Sequence, residues 1–333
     1  MEDDAEMKKV ALLHAHVPET ASADEQDTLV QVEAVSQSLA RLGYEPVPVS
    51  FGLNLEAVEN RLRSLRPAFV FNLVESVRGL GRLIHLAPSL LDAIGLPYTG
   101  SGTEAMFLTS NKLVAKKLLN ASRLATPRAY TLSSVNEKNF AKGSYIIKSV
   151  WEHASIGMNQ DSVITADSLA CLHRKLEEFT KRFGGEWFSE QYIEGREFNL
   201  SVLAGPRGPE VLPPAEIRFD AYPEGKPRIV DYRAKWEPDS FEYRHTNRSF
   251  EFAAGDALRI ERLKEAAAAC WKLFDLRGYA RVDFRMDESG TPWILEINAN
   301  PCLAPDGGFP AAACRAGISL DRVVERIVGD LFI

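Results

Sequence analysis

Two neighbouring β-favouring segments near the C-terminus carry carboxylates at a spacing that suits a metal ion. Charged residues alternate with apolar ones over residues 279–285, and residues 293–298 form a second such run after a short turn. Side chains alternate between the two faces of a strand, so a hairpin sets Asp283 directly opposite Glu296. Like charges so placed destabilise a sheet unless something compensates for them. Two carboxylates and the amide oxygen of Asn298 favour a hard divalent cation.

The same register, with the turn centred on residues 289–290, places Arg281 opposite Asn298. A solvated acidic face is the alternative interpretation of this hairpin. The second strand is otherwise apolar, however, and it runs into an irregular segment that contains Pro301 and a Gly-Gly pair at 307–308. These features indicate the wall of a ligand cleft.

Three features that precede the hairpin suit a polyphosphate ligand. Lys112 begins a predicted helix, whose N-terminal amides attract an anion. Lys148 ends a strand before a loop of small residues, whose N–H groups can surround phosphate oxygens. Glu190 and Glu197 bracket a turn, where one can accept from an adenine amino group and the other from ribose hydroxyls. Each signal is weak alone, but their order along the chain predicts a nucleotide site.

The elements that must position these residues follow from hydrophobic periodicity. Strands and helices alternate over the first hundred residues, which predicts a doubly wound α/β unit with a parallel sheet. Its predicted elements are strands 9–14, 45–49 (at an edge) and 68–73 and helices 29–42 and 55–65, with a polar loop at 17–27. Ligands bind beyond the carboxyl ends of such strands, so His14 and Glu75 are expected at a cleft.

The rest of the chain predicts a central α+β unit with antiparallel strands and a C-terminal unit that contains the hairpin. The predicted elements are helices 112–119 (capped by Ser110), 169–183, 258–276 and 320–332 and strands 144–148, 187–193 and 197–203. Residues 220–255 have little periodicity, which predicts a mobile active-site loop. The predicted domains are residues 1–101, 102–194 and 195–333.

Composition excludes several classes of function. The chain has 333 residues, 45% of them hydrophobic, and a net charge of −7, which gives no electrostatic case for nucleic acid or an anionic membrane. No apolar run is long enough to span a bilayer, and the acidic first residues differ from a secretory signal. Four cysteines without zinc-type spacing indicate a reducing compartment. We therefore expect a cytoplasmic protein with neither nucleic-acid nor membrane partners.

In its motifs the chain resembles the ATP-grasp ligases, and among them the D-alanine–D-alanine ligases. The resemblance runs from Lys112 to about Arg326, and it is weaker in the N-terminal domain. Its strongest pieces are YIEGREF at 192–198 and the pattern R-x-D…E-x-N-x-x-P at 281–283 and 296–301. It implies an ATP-grasp fold that combines a Rossmann-like N-terminal domain, a small central α+β domain and a C-terminal antiparallel sheet.

The resemblance also implies an activity and roles for individual residues. A small-molecule carboxylate would be phosphorylated by ATP, and an amine would then displace phosphate to form an amide. Asp283, Glu296 and Asn298 would hold two Mg²⁺ ions, with Mn²⁺ as an alternative ion. The implied nucleotide contacts are Lys112, Lys148 and Lys235 to phosphates, Glu190 to adenine, Glu197 to ribose, and Ile193 nearby. The implied catalytic residues are Arg281, Lys235 and Ser155.

The substrate positions depart from the family pattern. Those ligases carry a serine, a tyrosine and a second serine where this chain has Ala154, Trp236 and Gly307. Their glycine-rich first loop with its glutamate is replaced by the segment around His14, with acids at 24, 25 and 27 nearby. The candidate substrate residues are His14, Glu75, Trp236, Asp306 (which could face an ammonium group) and Gly307.

A changed substrate is the working hypothesis, because the nucleotide motifs are intact while the substrate motifs are not. It describes a ligase acting on an amino acid or a specialised metabolite. The alternatives are a genuine D-alanine–D-alanine ligase of cell-wall synthesis, an ATP-binding regulatory protein and a small-molecule kinase. Retention of Arg281 and Lys235 argues against a mere ATP binder. A homodimer is common in the resembled family, but the sequence itself carries no sign of one.

Overall fold

A parallel three-stranded sheet with helices on both faces forms the N-terminal part. The structure, a computed structural model, describes residues 7–18, 23–152, 155 and 157–332, and side chains at 23–25 are not described. The elements of this part are β1 (Lys8–Ala15), α1 (Ala23–Arg41), β2 (Tyr44–Phe51), α2 (Leu55–Leu65), β3 (Phe69–Leu73) and α3 (Leu86–Ile94). The strand order is β2-β1-β3 with parallel pairing, which confirms the predicted edge strand and doubly wound unit.

Helix α1 begins at Ala23, so the predicted loop at 17–27 is wrong in its second half. Acidic side chains lower the apparent helical periodicity there. Residues 24–28 are all polar, so they extend no apolar period and the sequence places the start of the helix too late. Ala154, the position aligned with a family serine, lies outside the described residues.

Two helices, α4 (Thr103–Ser110) and α5 (Lys112–Ala121), connect this part to the central sheet. The cap of α5 is Asn111, whose side chain accepts from the Val114 N–H at 3.1 Å. The predicted cap Ser110 instead donates to the Phe107 carbonyl within α4. Asn and Ser both cap well, and the sharp turn between the two helices leaves Ser110 inside the first of them.

The central part is a four-stranded antiparallel sheet covered by one helix. Its elements are β4 (Ala129–Tyr130), β5 (Gly143–Ser149), β6 (Val163–Ala166), α6 (Leu169–Phe183) and β7 (Trp187–Gln191), in the strand order β4-β7-β5-β6. Helix α6 is amphipathic, and Leu172, Leu176 and Phe179 pack against Tyr145 and Ile147 of the sheet. The predicted antiparallel α+β unit is confirmed.

A six-stranded antiparallel sheet forms the C-terminal part. Its elements are β8 (Arg196–Leu203), β9 (Glu210–Val211), β10 (Ala215–Phe219), α7 (Tyr232–Trp236), α8 (Phe241–His245), β11 (Thr246–Ser249), α9 (Ala257–Leu273), β12 (Tyr279–Met286), β13 (Pro292–Asn298), α10 (Gly308–Arg315) and α11 (Leu320–Gly329). The main strand order is β11-β10-β8-β12-β13, and β9 pairs with β8. The hairpin thus lies at one side of a broad sheet.

Residues 220–255 were predicted as a mobile active-site loop with little periodicity, and they contain the short elements α7, α8 and β11. Elements of four or five residues are too short to show a hydrophobic period in sequence. Asp231 caps α7 by accepting from the Ala234 N–H at 3.0 Å, and Ser240 caps α8 in the same way. These caps define the ends of the two short helices, and the mobility of the segment stays a prediction.

The three sheets fall within the three predicted domain ranges, whose boundaries stay a prediction. Helices α4 and α5, however, contribute Met106 and Leu119 to the core of the C-terminal sheet, where they pack with residues such as Phe198 and Phe284. Lys112 is therefore carried by helices that belong to the C-terminal body. Among the helices of the described ranges, none combines the length and apolar character needed to cross a membrane.

Candidate active site

The predicted carboxylate pair is present on the β12–β13 hairpin, at one side of the C-terminal sheet. Asp283 pairs with Glu296, and Arg281 pairs with Asn298 across the hairpin, as the sequence predicted. Arg281 holds Asp283 through two hydrogen bonds of 2.8 Å, and Asn199 of β8 donates to the same carboxylate at 2.8 Å. Asp283 is thereby oriented from two sides, with Glu296 as its cross-strand neighbour.

A β-bulge produces this register. Close to the turn Met286 pairs with Pro292 and Phe284 with Ile294, whereas Asp283 pairs with Glu296, so Leu295 is an extra residue. The turn of the hairpin is centred on residue 289, whereas the prediction placed its centre between residues 289 and 290. The extra residue at the bulge compensates for this difference, so that Asp283 still pairs with Glu296. A bulge re-aims side chains locally, and here Leu295 and Glu296 both line one cleft.

That cleft lies between the central and C-terminal sheets, and both apolar and charged side chains line it, as is common at small-molecule sites. Predicted site residues form much of its wall. They are Lys112, Lys148, Ser155, Glu190, Ile193, Glu197, Lys235, Asp283 and Glu296. Unforeseen lining residues include Ile146, Met158, Gln191, Ile229, Val230, Arg285 and Leu295.

A buried cluster of two lysines and one carboxylate lies at the inner wall of the cleft. Glu190 forms ion pairs of 2.6 Å with both Lys148 and Lys116, and only 1% of its side chain is exposed. Lys116 also donates to Thr126 at 2.8 Å. Sequence reasoning missed Lys116, although its position four residues after Lys112 puts both on one face of α5. In this structure the carboxylate of Glu190 is engaged by two ammonium groups. Its predicted contact with adenine stays a prediction.

The pKa shifts within this cluster differ in direction, and at Lys116 burial outweighs the attraction of Glu190 and lowers the pKa. Burial by itself raises the pKa of Glu190, but Lys116 and Lys148 outweigh it and hold that pKa below its usual value. Burial likewise lowers the pKa of Lys148, and the attraction of Glu190 reverses this into a net rise. Lys112 has a lowered pKa because burial outweighs the attraction of Glu296, whose carboxylate is 3.6 Å from Nζ. Lys112 also donates to the Glu152 carbonyl at 2.7 Å.

Glu197 is fixed by a residue that the sequence analysis did not single out. Arg285 donates to one carboxylate oxygen of Glu197 from two nitrogens, at 2.8 and 3.0 Å, and to the Ile193 carbonyl at 3.3 Å. The alternation along β12 could have indicated a role for Arg285, since Arg281, Asp283 and Arg285 must share one face of the strand. Arg285 therefore rigidifies the two predicted nucleoside contacts.

The segment before α7 is joined to the loop that follows β5. Ser155 donates to the Val230 carbonyl at 2.7 Å, Gln160 donates to Asp231 at 2.9 Å, and the Tyr232 N–H donates to the Met158 carbonyl at 3.2 Å. These three hydrogen bonds close the outer side of the cleft and bring Lys235 to its wall. Burial and the positive charge of Arg281 lower the pKa of Lys235.

The predicted substrate residues lie elsewhere than the cleft lining. His14 contacts the Ala15 carbonyl through Nδ1 at 2.8 Å, and burial lowers its pKa. Asp306 is exposed, and Gly307 precedes α10. Trp236 is half-buried at the end of α7. Their roles stay predictions.

Glu75 is the most perturbed of these residues. Gln31 donates to it at 2.6 Å, and burial raises its pKa to about 7. The negative charge of Asp27 adds to the rise, whereas Arg281 opposes it. Glu75 therefore lies near the Arg281 end of the site and prefers its neutral form at mildly acidic pH.

This shift predicts a pH-dependent stability. The folded protein binds the Glu75 proton more tightly than the unfolded chain, so the stabilisation is complete below pH about 4.5 and is lost as pH rises through about 7. We expect Glu75→Gln to be more stable than the wild type above pH 7, by at most about 3 kcal/mol, with the difference shrinking toward pH 4.5. Urea unfolding of both proteins across this range measures it, and a difference that does not vary with pH would contradict it.

The donor set at the hairpin fits a hard divalent ion. It comprises the carboxylates of Asp283 and Glu296 and the amide oxygen of Asn298, which are oxygen ligands that Mg²⁺ prefers. Within the described ranges no group of three or more His, Cys, Asp or Glu side chains forms another candidate. The roles of Asp283, Glu296 and Asn298 as metal ligands stay a prediction.

A Rossmann-like domain, two antiparallel sheets and a lysine- and carboxylate-lined cleft between the sheets make this protein an ATP-grasp ligase, which forms a carbon–nitrogen bond and releases ADP. The family model described as D-ala D-ala ligase C-terminus matches residues 129–329. A D-alanine–D-alanine ligase of Carboxydothermus hydrogenoformans is 30% identical over 92% of this chain and 94% of its own length. The chain therefore belongs to the D-alanine–D-alanine ligase family, whose ligases use ATP and Mg²⁺.

Solved structures share the fold. A D-alanine–D-alanine ligase of Bacillus anthracis superposes with a TM-score of 0.73 at 21% identity, covering 98% of this chain and 97% of that one. The VanG D-Ala:D-Ser ligase of Enterococcus faecalis superposes with a TM-score of 0.70 at 18% identity, covering 98% and 99%. The predicted fold class is confirmed by these likenesses.

Proposed function

We propose that this ligase condenses an amino acid or specialised metabolite with an amine, and that its substrates differ from two molecules of D-alanine. The observation that carries this proposal is the packing around Gly307. A Cβ at this position would lie 2.9 Å from the Ala304 carbonyl oxygen, which is closer than real Cβ atoms come. The family serine aligned here has no room for its side chain, so a different group must recognise the second substrate.

The proposed roles follow from the side chains on each wall. Lys112 and Lys148 bind the phosphates, Glu197 and the Ile193 segment bind the nucleoside, and Lys235 reaches the terminal phosphoryl group from α7. Mg²⁺ held at Asp283, Glu296 and Asn298 would neutralise charge on the phosphates. Asp283 orients Arg281. Arg281 in turn stabilises the negative charge that develops on the oxygens bonded to the reacting carboxylate carbon.

The chemistry proceeds in two steps. The substrate carboxylate oxygen attacks the terminal phosphorus of ATP, and ADP leaves as an acyl phosphate forms. The amine nitrogen then attacks the acyl carbon, phosphate leaves, and the amine loses a proton as the amide forms. The hydrogen bonds of Ser155 and Gln160 to the segment before α7 keep water from the acyl phosphate.

A genuine D-alanine–D-alanine ligase is the second candidate. It is favoured by the name of the Carboxydothermus relative, which matches nearly the whole chain. The VanG structure is titled a D-Ala:D-Ser ligase, so a protein of this fold can take an acceptor other than D-alanine. Fold alone therefore does not decide between the two candidates.

Turnover of Mg-ATP with D- and L-amino acids, singly and in pairs, tests the proposal. Nucleotide and amide products are identified by mass. We expect ADP together with an amide that contains at least one residue other than D-alanine. An amide built only from D-alanine would establish the second candidate, and a phosphorylated product without an amide would indicate a small-molecule kinase.

A further inference from the structure

Arg248 is a cation that the proposed nucleotide chemistry does not use. It lies on β11, where it pairs with Ile217 of β10, and Ile217 in turn pairs with Glu197 of β8. Directly paired residues in an antiparallel sheet point to the same face. Arg248 therefore shares the face of Glu197 and Arg285, which line the cleft.

The guanidinium of Arg248 has no hydrogen-bond or ion-pair partner among the residues that the structure describes. One of its terminal nitrogens lies 3.7 Å from the position that a Cβ on Gly308 would occupy, at the first turn of α10. The side chain of Arg248 is partly open to solvent, but the atoms packed around it lower its pKa, the charge of Arg281 lowers it further, and Asp306 opposes both. Arg248 thus faces like charge from Arg281, which the charge of Asp306 offsets only in part.

Arg281 also has a donor to spare and can bind an anion together with Arg248. Its Nε and one terminal nitrogen hold Asp283, which leaves the other terminal nitrogen without a described partner. Two guanidinium groups with donors to spare, beside a helix N-terminus, favour a carboxylate, because the planar fork matches its two oxygens. This arrangement lies next to Gly307, where no side-chain hydroxyl fits.

We propose that Arg248, together with Arg281, binds the free carboxylate of the amine substrate. The inference rests on the proposed ligase function and narrows its second substrate to an amino acid or a peptide, since a simple amine would offer no acceptor to Arg248 or to the remaining terminal nitrogen of Arg281. The carboxylate that is bound here is not consumed, so the amide product retains it. Arg248 is then a specificity-determining residue that takes the place of the missing hydroxyl.

The test compares Arg248→Gln with the wild type, using the twenty L-amino acids and D-alanine, D-serine and D-aspartate as acceptors, and the amide of each active acceptor. We expect Arg248→Gln to raise the KM for the amino acid roughly 10- to 100-fold, as loss of a charge-assisted hydrogen bond does. The KM for Mg-ATP should stay within about twofold, and Arg248→Lys should recover part of the loss because it keeps the charge. Wild-type turnover of the amino-acid amide should be poor and insensitive to Arg248→Gln.

Arg218→Gln is the matched control. Arg218 is an exposed arginine of β10 that precedes the turn and pairs with Asn247, so it lies on the opposite face of the same sheet. An unchanged KM for the amino acid in Arg248→Gln, or equal use of amino acids and their amides by the wild type, would overturn the inference and leave the ligase function standing. Absence of any amide product in the wild type would overturn the proposed function and the inference with it.

Discussion

Glu296→Gln is expected to lower kcat/KM for Mg-ATP about 10³-fold while the protein stays folded. The carboxylate lies opposite Asp283 and 3.6 Å from Lys112, on the wall where the phosphates are proposed to bind. Neutralising it removes a metal ligand, and a bound metal ion supplies several kcal/mol of charge stabilisation in such reactions. Glutamine keeps the size of the side chain, and the site lies in a cleft, so the core is not disturbed.

The measurement is turnover together with nucleotide affinity at increasing Mg²⁺ concentration. In the wild type we expect affinity for ATP to rise with Mg²⁺, and in Glu296→Gln this dependence should be weak. Glu288→Gln is the control, because Glu288 is an exposed acid in the turn of the same hairpin. Equal Mg²⁺ dependence in Glu296→Gln and the wild type would show that the hairpin is not the metal site.

Glu190→Gln is expected to lower the free energy of unfolding by about 3–5 kcal/mol. This carboxylate is the shared counterion of Lys116 and Lys148, at 2.6 Å from each, and all three groups are buried. Removal of one member of a buried ion cluster leaves uncompensated charge in a medium that solvates it poorly, which costs about this much. Glutamine can accept one hydrogen bond, but it cannot neutralise either ammonium group.

Glu178→Gln is the matched control for Glu190→Gln. Glu178 on α6 also pairs with two cations, Lys175 at 2.8 Å and Arg174 at 3.9 Å, but half of its side chain is exposed. Its loss should lower the free energy of unfolding far less than the loss of Glu190, because exposed ion pairs contribute little to stability. Urea unfolding of both variants and the wild type measures the loss in the free energy of unfolding that each substitution causes. Weaker ATP binding in Glu190→Gln with unchanged stability would mean that the carboxylate binds adenine, as the sequence predicts.

The parts of the fold that repeat a period were predictable from the sequence. The parallel sheet, α2, α6 and the hairpin follow from alternation over at least five residues or helical spacing over more than two turns. Elements of four or five residues, such as α7, α8 and β11, carry too little periodicity to be recognised. The start of α1 was missed because residues 24–28 are all polar and extend no apolar period.

At the site, residue types were easier to predict than partnerships. Asp283 and Glu296 were paired correctly because alternation and a short turn fix register. The bulge at Leu295 leaves no mark in the sequence, since any residue can be the extra one. Lys116 and Arg248 were overlooked for a related reason. Their significance comes from β7 and α10, elements distant in the chain, and distance in sequence hides such contacts.

The attachment of the central sheet determines how the cleft can open. Next to the buried cluster, Thr126 donates to the Ile294 carbonyl at 2.7 Å, and the Ile294 N–H donates to the Ala125 carbonyl at 2.8 Å. Lys116, carried by the C-terminal body, binds Glu190 of the central sheet at the same edge. A rotation of the central sheet therefore has its hinge at this edge. We expect such a rotation to break the three hydrogen bonds around Ser155 and Gln160 at the far side of the cleft.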